Sequence, residues 1–131
     1  MKSNTWKGFD VDVATEIANR LGVTPDIQHQ EWEVVTAGSW NDRWDVNVGS
    51  MTDTVDREEL FAFSPAYYYT PAGVAVFGTN TSYTAISDLS GKTVCAGAKT
   101  TYESYLEGNL KLGGGAPPFT YQISGAQVFT Q

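Results

Sequence analysis

The sequence holds a single cysteine, Cys95, and a single histidine, His29. One cysteine excludes an intramolecular disulfide and a cysteine-rich zinc centre. His29 has no partner at metal-ligand spacing, so neither a metal nor another cofactor is expected. Cys95 falls in the apolar run Thr93 to Ala96 and reads as a buried strand residue rather than a reactive thiol. No Ser, His and Asp set and no paired carboxylates can be assigned, which leaves no catalytic residues. Positive charge is also sparse: eight Lys and Arg stand against fifteen Asp and Glu, for a net charge of -7. The basic residues are scattered from Lys2 to Lys111, whereas a phosphate-tracking surface needs them clustered. Nucleic acid is therefore not expected as a partner. The acidic balance keeps the chain in solution, with steering of cationic ligands as the alternative reading. No run approaches the ~20 apolar residues that span a bilayer, and Met1 to Lys7 carries no apolar stretch after its charges, so no signal peptide is expected there.

What is present is a globular composition, 41% hydrophobic and 13% aromatic, far from the polar, charged compositions that stay disordered. Val13, Ala14, Ile17, Ala18 and Leu21 recur at three- and four-residue spacing, which predicts a helix capped by Asp10 and ended by Gly22 with Pro25 beyond. An extended stretch over 26–30 and a second helix over 34–40 follow. Trp44 to Val48 alternates and predicts a strand that runs into the polar loop Gly49-Ser50. Thr54 caps a helical turn through Leu60. Ala72 to Phe77 predicts a strand, and the Gly-, Asn- and Thr-rich stretch 78–82 a hinge. Lys92 to Ala96 predicts another strand, Thr101 to Leu110 a helix capped by Thr100 or Thr101, and Gly113 to Pro118 a loop. Helices alternating with short apolar strands indicate an α/β architecture with a largely parallel sheet.

Gly49-Ser50-Met51-Thr52 lies at the carboxyl end of a predicted strand, where open α/β sheets bind ligands, and Arg57 follows near a helix start. Hydroxyls, backbone N–H groups and a guanidinium gathered there suit a carboxylate, which Arg57 can hold by two parallel charge-assisted bonds. The competing reading is a hydroxyl pair that caps the next helix, with Arg57 on a solvated face. Trp32, just after an extended segment, can cover the apolar part of a ligand or stack on a cationic group. Trp6, Trp40 and Trp44 read as core.

The stretches Gly8 to Ala14, Trp44-Asp45, Gly49 to Arg57, Phe63 to Tyr68 and Asp88 to Val94 resemble, in the same order, the signatures of the family 3 solute-binding proteins. These are the amino-acid receptors of ABC importers. The resemblance implies a periplasmic-binding-protein-like α/β fold (type II) in which residues 1–78 form most of a first lobe and 79–131 the hinge and the opening of a second. It implies that Trp32 lies against the ligand side chain, and that Gly49, Ser50 and Thr52 meet its α-amino and α-carboxylate groups. Arg57 matches the carboxylate-binding arginine, and Thr101 the helix-start residue that closes over that carboxylate, in keeping with anion binding at helix N-termini. The implied function is non-catalytic capture of an amino acid for an ABC permease, in the periplasm or outside the cell.

Relatives of this kind begin about twenty residues earlier and continue beyond the equivalent of Gln131. The sequence therefore reads as lacking the first strand of lobe one and much of lobe two. A gap in a central strand leaves backbone groups unpaired, so a homo-oligomer is expected, with exchange of segments through the 78–82 hinge. Two alternatives stay open: a dehydratase of prephenate- or arogenate-type acids on the same fold, and an oligomeric relic that binds nothing.

Overall fold

A computed structural model describes residues 6–130. Within it the chain forms two compact units, Met1–Met51 and Thr52–Gln131.

In the first unit, α1 spans Phe9–Leu21. Its apolar spacing makes it helical, but Asp10 is not its cap. Gly8 takes the N-cap position and its carbonyl accepts from Asp12 N at 3.0 Å. Asp10 and Asp12 lie in the first turn, where negative charge offsets the partial positive charge of the helix start. Gly22 ends the helix in the left-handed conformation (φ 70°), which glycine adopts without steric cost. Its N–H and that of Val23 bond back to Asn19 O and Ala18 O, satisfying carbonyls the helix leaves open. Ala18 is buried.

The second helix, α2, is Trp32–Thr36, displaced toward the N-terminus from the expected 34–40. Gly38 (φ 71°) breaks it, and the Trp40 indole N–H donates to Val35 O at 3.0 Å. That bond folds the chain back over the helix end and buries Val35. Trp40 and Trp44 form a tilted pair at 5.5 Å, whereas Trp6, expected in the core, is exposed and stacks on His29 at 6.1 Å. The expected strand over Trp44 to Val48 does not form: those residues pair with no other strand among the described residues. Alternation supplies a face, but a strand exists only where a neighbour takes up its N–H and C=O groups.

In the second unit, Thr54 caps α3, Val55–Glu58, which stops short of Leu60. The expected strand over Ala72 to Phe77 also pairs with no strand among the described residues, and the hinge-like stretch is a turn closed by Asn80 N to Phe77 O at 2.7 Å. A 3-10 turn, Ile86–Leu89, leads into β1, Thr93–Ala96. Next comes α4, Thr101–Glu107, capped by Thr100 and ended by Gly108 (φ 76°) before the expected Leu110. The strand β2, Gln127–Thr130, was not expected. It lies parallel to β1 in the register Thr93↔Gln127 to Ala96↔Thr130, and α4 packs on both strands. This β-α-β unit realises the α/β, parallel-sheet expectation on two strands. Cys95 is exposed, contrary to expectation. Although its run is apolar, strand side chains alternate, and the neighbouring Ala96 takes the buried side.

Candidate functional site

The residues singled out in the sequence divide between the two units. Trp32, Gly49 and Ser50 belong to the first. Trp32 opens α2, half-buried, with its carbonyl accepting from Thr36 Oγ1 at 3.1 Å. Gly49 is half-buried and its carbonyl accepts from Met51 N at 2.7 Å, while Ser50 is exposed.

Thr52, Arg57 and Thr101 belong to the second unit, and here the fold joins distant stretches of sequence. Thr54 Oγ1 accepts from Arg57 N at 3.4 Å, which starts α3 and projects the arginine side chain from its first turn. Arg57 Nη1 then donates to Thr52 O at 2.8 Å, and Nη2 to Lys99 O at 3.0 Å. Two carbonyls 47 residues apart in sequence thus orient one guanidinium. Burial pushes Arg57 below its usual pKa, yet arginine keeps its charge in proteins. Lys99 lies two residues ahead of Thr101, the half-buried first residue of α4. The structure therefore brings Thr52, Arg57 and the turn leading to Thr101 together, with Arg57 half-buried.

That turn has its own support. Lys99 adopts φ 58°, a left-handed conformation that costs a side-chain-bearing residue roughly 1–2 kcal/mol. Its N–H donates to Glu103 Oε2 at 2.6 Å, Thr100 Oγ1 donates to Gly97 O at 2.7 Å, and the same hydroxyl accepts from Glu103 N at 3.4 Å. Sequence reasoning passed over Glu103. Its signal was the Thr100-x-x-Glu103 spacing, in which a cap hydroxyl and an acid three residues on satisfy N–H groups of the helix start.

A second group was also missed. Lys111 to Gly114 runs antiparallel to Asp53 to Val55: Thr54 bridges Leu112, Val55 N donates to Lys111 O at 3.1 Å and Gly113 N to Asp53 O at 3.1 Å. Gly114 N donates to Glu58 Oε1 at 2.7 Å. A side chain at 113 would run into the Asp53 and Glu58 carboxylates, Glu58 Oε1 lying 2.7 Å from where its Cβ would sit. Asp53 Oδ1 is buried without a hydrogen-bond partner among the described residues. Desolvation first, then the Glu58 charge, raises its pKa. Nothing in the Gly113-Gly114-Gly115 run of the sequence points to these two acids.

An open groove of about 390 Å³ along α1 is lined by Phe9, Asp12, Val13, Glu16, Ile17 and Arg20 and includes none of the site residues. Among the described residues no group of three or more His, Cys, Asp or Glu is placed to hold a metal ion.

Comparison with known proteins gives the arrangement a context. The L-cystine-binding protein TcyA of Bacillus subtilis (strain 168) is 34% identical over 95 residues, a match spanning 72% of this chain and 35% of that protein. The L-cystine-binding protein TcyJ of Escherichia coli (strain K12) is 30% identical over 107 residues, spanning 79% of this chain and 40% of its own length. A membrane-bound lytic murein transglycosylase F of Desulfosudis oleivorans is 30% identical over 103 residues, a match spanning 79% of this chain and 23% of that protein. The chain thus spans well under half the length of these curated relatives. No solved structure matches. A family model matches residues 1–111, the stretch that holds Trp32, the Gly49 to Thr52 loop, Arg57 and Thr101, and with that match the chain belongs to the bacterial extracellular solute-binding proteins, family 3.

Proposed function

We propose that the chain is the amino-acid-binding part of an ABC importer's receptor, acting outside the cytoplasm and without catalysis. The observation that carries this reading is Arg57, held by Thr52 O and Lys99 O at the turn that opens α4. A guanidinium has five N–H donors in a planar fork, so one arginine can hold backbone acceptors and a ligand carboxylate together. A carboxylate offers the guanidinium an opposite charge and two parallel bonds, which a neutral carbonyl does not. In this reading Thr101 closes over the same carboxylate, Gly49, Ser50 and Thr52 receive the α-amino and α-carboxylate groups, and Trp32 covers the ligand side chain. Residues 1–78 then belong to the first lobe and 79–131 to the hinge and second lobe, with an ABC permease as partner.

Two relatives are named for binding L-cystine, which makes that amino acid the first ligand to test. Among the described residues no helix is long and apolar enough to cross a membrane. Titration calorimetry of the chain with L-cystine and a panel of polar and cationic amino acids is expected to give saturable binding. Arg57→Ala is expected to weaken it by about 2–5 kcal/mol, because truncation leaves a buried carboxylate without its charged partner. Unchanged affinity in a folded Arg57→Ala variant would remove Arg57 from the site.

A further inference from the structure

We infer that Glu103 is a positioning residue for Arg57, acting through the backbone of Lys99. The inference rests on the proposed role of Arg57 only for its consequence in binding; the contacts themselves stand without a ligand.

Among the described residues, Lys99 is one of three other than glycine with positive φ, and its conformation decides where its carbonyl points. Left-handed backbone is disfavoured for a residue with a Cβ and persists where the surroundings hold it. Here the holding group is the Glu103 carboxylate, which takes the Lys99 N–H at 2.6 Å. A carboxylate acceptor makes this a short, charge-assisted bond. With the N–H fixed on one side of the residue, the carbonyl on the other side is presented to Arg57 Nη2 at 3.0 Å. The path is therefore Glu103 to the Lys99 N–H, through Lys99 to its carbonyl, and on to the guanidinium, whose other end Thr52 O fixes at 2.8 Å.

Glu103 also lies at the third position of α4, whose first residue is Thr101. One carboxylate consequently ties the orientation of Arg57 to the start of the helix that carries Thr101. A guanidinium already oriented loses less freedom when it binds, so release of this tie weakens binding without removing any group that touches the ligand.

The test compares Glu103→Ala, Glu103→Gln and Tyr102→Gly in the full chain, with the side-chain N–H signals of ¹⁵N-labelled Arg57 as a readout that needs no ligand. Tyr102 is exposed, and glycine there weakens α4 by low helix propensity while leaving the Glu103 to Lys99 bond in place. Glu103→Ala is expected to shift the Arg57 signals and speed their solvent exchange. Glu103→Gln, which keeps an acceptor, restores them, and Tyr102→Gly leaves them in place. Unmoved Arg57 signals in Glu103→Ala, or equal movement in Tyr102→Gly, would overturn the inference.

For the consequence in binding, L-cystine is the probe. Glu103→Ala is expected to bind it about tenfold more weakly, the effect of one lost hydrogen bond. In an Arg57→Ala background the same change is expected to have no further effect; an equal loss in both backgrounds would count against action through Arg57. Absence of L-cystine binding by the parent chain would overturn the choice of ligand, and the Arg57 signals would still decide the positioning role.

Discussion

Asp53 and Asp88 carry the same carboxylate and respond to folding in opposite directions. At Asp88 the Thr84 N–H, then the Ala85 N–H, outweigh desolvation and hold the pKa down, with the Thr84 hydroxyl adding to them. A depressed folded pKa contributes stability above the unfolded value, and that contribution is lost as pH falls through the folded one. At Asp53 desolvation and the Glu58 charge hold the pKa up. A raised acid pKa is a penalty on the folded state at neutral pH, relieved as pH falls through it. Asp53→Asn is therefore expected to raise Tm at neutral pH, with the gain shrinking toward pH of about 4, the unperturbed range of the group. Asp88→Ala is expected to lower Tm at neutral pH, with the loss shrinking on acidification. Scanning calorimetry at both pH values checks the two signs. A pH-independent difference in either variant would detach that carboxylate from the linkage. The sequence showed neither environment, since each depends on which backbone N–H groups or charges the fold brings near.

The elements that were legible are those whose determinants are local. The apolar spacing and Gly22 define α1, Thr54 starts α3, and Thr100, one of two expected caps, starts α4, although that helix stops at Gly108 before the expected Leu110. Strands were less legible because a strand is completed by its partner: the alternating Trp44 to Val48 pairs with none among the described residues, while the unremarked Gln127–Thr130 pairs with β1. The antiparallel contact of Lys111 to Gly114 with Asp53 to Val55 is an element of the same non-local kind. It depends on Gly113, where a Cβ meets two carboxylates. Gly113→Ala is expected to destabilise the chain by about 1–3 kcal/mol, the usual cost of forcing atoms into filled space. Urea unfolding measures it, and an unchanged midpoint would show that Asp53 and Glu58 yield freely. Asp53→Asn should not relieve that cost, because asparagine occupies the same volume.

At the scale of the whole molecule, large apolar side chains stay in contact with solvent: Tyr69 is 90% exposed, Phe77 83% and Leu21 71%. Apolar surface of this extent and open strand edges invite association, so the chain by itself is expected to self-associate at micromolar concentration. Sedimentation equilibrium decides this, and a folded 14.3 kDa species with no self-association would refute it. Family membership, α1 with its Gly22 stop and the Thr54 cap of α3 followed from the sequence, because each rests on residues near one another in the chain or on an ordered set of motifs. Only the tertiary structure placed the Lys99 carbonyl on Arg57, Glu103 behind Lys99, and Gly113 against Asp53 and Glu58. Those contacts join residues 42 or more positions apart or depend on a left-handed lysine, and neither spacing nor composition encodes where a folded backbone turns its carbonyls.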